Sequence, residues 1–115
     1  MRRGEIHLVN LEPARGGEAN KRRPAIIVSN DGANVAAERT GVGAITVVPV
    51  TSNISHVYPF QVLLPASVTG LEHDSKAQAE QVRSISVERL GYTMGEVPQN
   101  LMTELDEALR LHLAL

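Results

Sequence analysis

The chain has 115 residues, 43% of them hydrophobic and 21% charged, with a formal net charge of −2. That length suits one domain with a core of its own, and that charge excludes a uniformly basic nucleic-acid coat while leaving room for a local basic site. With no cysteine there is no disulfide, thiolate nucleophile or cysteine zinc site, and two Tyr, one Phe and no Trp make an aromatic cage or a proline-peptide groove hard to assemble.

Ile6, Leu8 and Asn10 alternate with His7, Val9 and Leu11, which predicts a strand. Pro13 to Asn20, with Gly16-Gly17, reads as a flexible loop. The continuous apolar run Pro24 to Val28 predicts a buried strand with Pro24 as its first residue, ended by Asn30-Asp31-Gly32. Residues 33–39 are expected as a short helix, and Gly41-Val42-Gly43 as a turn. Ala44 to Val50 is β-branched and predicts a strand, with Pro49 hinting at an edge or a bulge. Further strands are expected at Tyr58 to Leu64, at Lys76 to Ile85, where the alternation runs unbroken, and at Tyr92 to Val97, for about six in all.

The last segment has a different period. Leu101, Leu105, Ala108, Leu109 and His112 follow i, i+4, i+7, i+8 and i+11, one face of a helix opened by Pro98 or Asn100. Glu104, Asp106 and Glu107 are read as sitting early, where the helix dipole favours negative charge. His112 is expected to be packed or at an interface, with Met102 and Leu113 as candidate partner contacts. Strands followed by one helix predict a mainly β, α+β fold: a small, strongly curved antiparallel sheet or barrel carrying a C-terminal helix.

Charge is unevenly placed. Residues 1–23 hold Arg2, Arg3, Arg15, Lys21, Arg22 and Arg23 against Glu5, Glu12 and Glu18, a net of +3, and the remainder carries −5. A basic segment on an acidic body suggests an anion site. Taken alone, Lys21-Arg22-Arg23 would read as a solvated charge run. Its place after a glycine loop and before a buried strand favours a site. His7, His56, His73 and His112 are scattered without metal-ligand spacing, so neither a metal nor any other cofactor is expected. His56 is a minor candidate for reaching substrate. No apolar run approaches the roughly 20 residues that span a bilayer, and no secretory signal follows the basic N-terminus, so a cytoplasmic protein is expected.

An ordered set of short motifs runs through the chain: a glycine loop with Glu18, Arg23-Pro24 opening an apolar strand, Pro49-Val50-Thr51-Ser52, Tyr58-Pro59-Phe60, and Asp74-Ser75 ahead of Glu80-Gln81-Val82-Arg83. In this order and spacing the chain resembles the MazF/PemK family of bacterial toxin endoribonucleases over nearly its whole length. The resemblance implies a single SH3-like barrel over residues 1–115, working as a homodimer. It also implies metal-independent, sequence-specific cleavage of single-stranded RNA to 2′,3′-cyclic phosphate and 5′-hydroxyl ends, and neutralisation by an antitoxin with a flexible tail. The family's catalytic arginine, threonine and loop glutamate fall on Arg23, Thr51 and Glu18. Gly17, Lys21, Arg22, Ser52, Asn53, Gln81 and Arg83 are the candidate RNA-binding residues, Arg83 being equally readable as an ion-pair partner of Glu80 or Glu88. The chain has Gly16-Gly17-Glu18 where the family commonly has Gly-Ser-Glu.

Arg23 suits a grip on phosphate, being planar, always charged and bidentate, but its high pKa makes it a poor base; Glu18 is the easier base. Two other readings stay open. One is a non-catalytic toxin of the same fold that binds a protein target such as gyrase, which would not need Arg23 and Thr51. The other is a structural SH3-like module, which three aromatics make hard to sustain.

Overall fold

The computed structural model describes residues 1–115. In chain order the elements are β1 (Glu5–Asn10), β2 (Arg22–Ile27), α1 (Asp31–Thr40), β3 (Ala44–Thr51), β4 (Gln61–Leu64), α2 (Ala66–Thr69), β5 (Ser75–Gln78), a 3-10 turn (Ala79–Gln81), β6 (Arg83–Ser86), a second 3-10 turn (Val87–Arg89), β7 (Leu90–Glu96) and α3 (Gln99–Leu113). The seven strands form one antiparallel sheet in the order β4-β5-β3-β2-β1-β7, with β6 also paired to β3. This is the expected α+β arrangement, a curved antiparallel sheet with a C-terminal helix. The hydrogen-bonded path stays open between β4 and β7. α2 follows β4 and bridges toward β7 by close packing: a Cβ added at Gly95 would lie 2.1 Å from the Thr69 carbonyl oxygen, so only glycine admits this contact.

Both faces of the central strands are covered. Ile26, Val48 and Val50 face a core shared with Leu64, Leu101, Met102 and Leu105, while Ala25, Ile27, Ile45 and Val47 face a second core with Val9, Leu11, Ala37 and Ile85. Two-sided burial explains why β2 reads as an unbroken apolar run rather than an alternation. β2 begins at Arg22, so Pro24 is its third residue and not its first. Pro24 is paired with Leu8 of β1 and lies one residue beyond the last β2–β3 partner, Ala25.

The predicted strand from Lys76 to Ile85 is two strands. Val50 pairs with Ala77 on β5, and Val47 pairs with Arg83 on β6. Three residues along β3 thus correspond to six along the β5–β6 segment, and the three spare ones form the turn Ala79–Gln81. Period-2 alternation cannot register such a step. Pro49 sits buried within β3, opposite Ala25 on one side and between the β5 and β6 ladders on the other, where no backbone donor is required.

Smaller departures follow the same logic. The strand predicted from Tyr58 starts only at Gln61, because Tyr58–Phe60 makes a turn closed by Gln61 N–H to the Tyr58 carbonyl, 2.9 Å. In α3 the buried residues are Leu101, Met102, Leu105 and Ala108. Met102 is a core residue against Gly4 and not a partner contact, and His112 is exposed and not packed. Leu113 is exposed. Because α3 starts at Gln99, no acid lies in its first turn; Asp106 instead takes a 2.6 Å bond from Arg3, and Glu107 faces Arg110.

Candidate active site

The register of β2 on β3 sets Ile27 opposite Val47, Ile26 opposite Val48 and Ala25 opposite Pro49. Counted two residues past the last bonded pair, the same register matches Arg23 to Thr51. The sequence separation of these side chains is therefore cancelled by one antiparallel ladder. Both line a cleft of about 380 Å³ at the ends of β2 and β3, with Lys21, Arg22, Pro24, Val50 and Ser52 on the same side and Leu71, Glu72, His73, Ser75 and Met94 completing it.

Arg23 is held in place. Its Nε donates to the Asn20 carbonyl at 2.7 Å and its Nη2 to Asn20 Oδ1 at 3.0 Å, and it has no carboxylate partner. The guanidinium keeps further N–H groups for an anion. Lys21 has φ 65°, a conformation that residues with a Cβ rarely adopt. Its N–H donates to Glu12 Oε1 at 2.6 Å, and its carbonyl accepts from Leu11 N–H at 2.9 Å. Strain of this kind persists where surrounding bonds over-determine it, and here it sets the entry to the basic strand. The Lys21 and Arg22 side chains are exposed and unpaired. At the far edge Thr51 Oγ1 accepts from Asn53 N–H at 3.2 Å, which starts the turn out of β3.

The sequence-derived candidates divide. Arg23, Thr51, Lys21, Arg22 and Ser52 come together in the cleft. Glu18 does not line it: the carboxylate accepts from Arg15 N–H at 2.7 Å within its own loop. Gln81 is a clamp on that loop, accepting from Ala19 N–H at 2.8 Å and donating to the Gly17 carbonyl at 3.0 Å. Arg83 pairs with neither Glu80 nor Glu88; Nη1 reaches the Leu11 carbonyl at 3.4 Å. Asn53 is spent on its own turn, its Oδ1 accepting from Ser55 N–H and Oγ. His56 packs at a tilt against Tyr58, ring centroids 4.1 Å apart, and does not line the cleft.

Sequence reading missed the wall from Leu71 to Ser75. Only Asp74-Ser75 stood out there as a motif, and His73 was passed over as one scattered histidine. The signal was present in the flanking pattern: Gly70 takes φ 82° to end α2, and buried Leu71 then anchors the chain. No three His, Cys, Asp or Glu side chains gather in a metal-binding cluster anywhere in the chain, and no helix is long and apolar enough to cross a membrane.

Known proteins resemble the chain in both sequence and fold. Residues 2–113 match the family described as PemK-like, MazF-like toxin of type II toxin-antitoxin system. The chain is 64% identical to endoribonuclease MazF9 of Mycobacterium tuberculosis over 115 residues, covering 100% of this chain and 98% of that one. The fold superposes on a MazF crystal structure from Deinococcus radiodurans with TM-score 0.81 at 27% identity, covering 100% and 97% of the two chains. It superposes on a MazE-MazF crystal structure from the same organism with TM-score 0.73 at 28% identity, covering 100% and 97%. The chain belongs to the PemK/MazF toxin family of type II toxin–antitoxin systems, among relatives that are endoribonucleases.

Proposed function

We propose that this chain is a sequence-specific endoribonuclease toxin that cleaves single-stranded RNA in the cytoplasm without a metal ion, by attack of the substrate's own 2′-hydroxyl on the adjacent phosphate. Endoribonuclease activity follows from the family and from the near-complete match to a named endoribonuclease. The observation that carries the finer reading is the meeting of Arg23 and Thr51 in one cleft.

In such a reaction the bond from 2′-oxygen to phosphorus forms as the bond to the 5′-oxygen breaks, giving a 2′,3′-cyclic phosphate and a 5′-hydroxyl. Negative charge grows on the non-bridging oxygens. A guanidinium already fixed by Asn20 meets that charge without reorganising, which is where preorganised donors contribute most. The Thr51 hydroxyl adds a donor on the facing strand. Lys21 and Arg22, unpaired at the mouth, raise the local potential and draw in the strand.

The antitoxin is read as a partner with an acidic, flexible tail that competes for the same basic wall, and the working unit as a homodimer. The MazE-MazF neighbour supports the first. The test is incubation of the purified protein with mixed RNA in EDTA. Cleavage is expected, with Arg23→Ala and Thr51→Ala each severely impaired. Cleavage only on addition of metal, or full activity in both variants, would contradict the proposal.

A further inference from the structure

Metal-free cleavage requires a group that takes the 2′-hydroxyl proton and one that gives a proton to the 5′-oxygen. Arg23 is a poor base, and Glu18 lies outside the cleft, bonded to its own loop. The same cleft carries two other candidates, Glu72 and His73.

The wall from Leu71 to Ser75 has a rigid backbone. Leu71 is buried in the main core, and its N–H donates to Thr69 Oγ1 at 3.3 Å. Asp74 Oδ1 accepts from Ala66 N–H at 2.8 Å, tying the segment back to α2. Ser75 Oγ donates to the His73 carbonyl at 2.9 Å, and Ser75 itself is buried. Between these anchors the Glu72 and His73 side chains are exposed and enter no ion pair. Their hydrogen-bonding capacity is left for something in the cleft. The charged groups facing them there are Lys21, Arg22 and Arg23; the β3 and β7 contributions, Val50, Thr51, Ser52 and Met94, are uncharged.

We propose that Glu72 and His73 are the proton-transfer pair of this site. This rests on the ribonuclease reading above. The Glu72 carboxylate takes the proton from the 2′-hydroxyl as the 2′-oxygen bonds to phosphorus. The protonated His73 imidazole gives its proton to the 5′-oxygen as that oxygen leaves phosphorus. Arg23 and Thr51 hold the non-bridging oxygens throughout. Exchange with water resets both groups.

The test uses two RNAs of one sequence, taken from mapped cleavage ends. One is ordinary RNA. In the other, sulfur replaces the 5′-bridging oxygen at the scissile linkage, so the leaving thiolate needs no proton. On the ordinary RNA, His73→Ala and Glu72→Gln are each expected to lose roughly 100-fold or more in kcat. On the sulfur-linked RNA, His73→Ala recovers to within about threefold of the parent, while Glu72→Gln and Arg23→Ala stay impaired. His73→Gln, which retains polarity without proton transfer, behaves as His73→Ala, and both keep the parent's thermal midpoint. Full activity of His73→Ala on ordinary RNA, or an equal defect on both RNAs, overturns the assignment and leaves the ribonuclease reading intact. A parent protein that cleaves neither RNA in EDTA overturns both.

Discussion

On the β2 side of the cleft the side chain proposed to hold the phosphate is tied down: Arg23 is bonded twice to Asn20. On the α2–β5 side the main chain is tied down by Leu71, Asp74 and Ser75, and the Glu72 and His73 side chains project from it unpaired. The difference matches two kinds of work. A group that stabilises growing charge gains from being fixed before the reaction, whereas groups that exchange protons must stay open to substrate and water.

The largest expected effect tests the fixed side. Arg23→Ala removes both the charge and the Asn20 bonds and is expected to lower kcat about 10²- to 10³-fold, the usual loss for one preorganised donor. Arg23→Lys restores charge without the planar fork and is expected to recover little of it. Steady-state kinetics on one defined RNA measures both. Recovery by lysine would mean that charge alone matters and that the fixing by Asn20 is incidental.

The next effect tests the opposite side through the scaffold. Gly95→Ala places a Cβ 2.1 Å from the Thr69 carbonyl and pushes α2 off β7. A cost of about 1–3 kcal/mol, typical of overpacking, is expected in denaturant unfolding, together with displacement of the wall that carries Glu72 and His73. Wild-type stability in this variant would mean that α2 is not what closes the sheet.

A smaller effect separates loop from wall. Gln81→Ala removes two hydrogen bonds to the glycine loop, worth about 1 kcal/mol each net, and is expected to raise KM with little change in kcat. A loss confined to kcat would instead place the loop, and Glu18 with it, in the chemical step.

The smallest effect concerns the scaffold's own titration. Asp31 is held below the usual carboxylate range, first by the Arg3 backbone N–H that donates to it at 2.7 Å. A carboxylate with a depressed folded pKa contributes stability above its unfolded value, near 3.9, and that contribution is lost as pH falls through the folded value. Thermal midpoints are therefore expected to fall below about pH 4, and to fall less steeply in Asp31→Asn.

Much of the fold was legible because its elements are periodic. β1, β3 and α3 follow from alternation, β-branching and helical spacing, whereas the short helix expected at 33–39 rested on no such period. The step between β5 and β6 was hidden because alternation continues through Ala79 and Ile85, and only the partner strand's two registers expose the three extra residues. At the site, Arg23 and Thr51 were found through the family motif, and the β2–β3 ladder supplies the reason they meet. Gln81 belonged to the same motif, yet its bonds go to a loop more than 60 positions away, which sequence spacing does not encode. The Glu72–His73 wall was missed because two exposed polar residues after a glycine look like any surface turn. What sets them apart is the burial of Leu71 and Ser75 on either side.

The most direct test of the central claim, that Arg23 and Thr51 serve an attack by the substrate's own 2′-hydroxyl, uses a defined RNA in EDTA. The hydroxyl at the mapped cleavage nucleotide is replaced by hydrogen. The account predicts that the intact RNA yields 2′,3′-cyclic phosphate and 5′-hydroxyl ends while the substituted RNA binds and is not cut. Cleavage of the substituted RNA at the same linkage, or 5′-phosphate ends from the intact one, would contradict it.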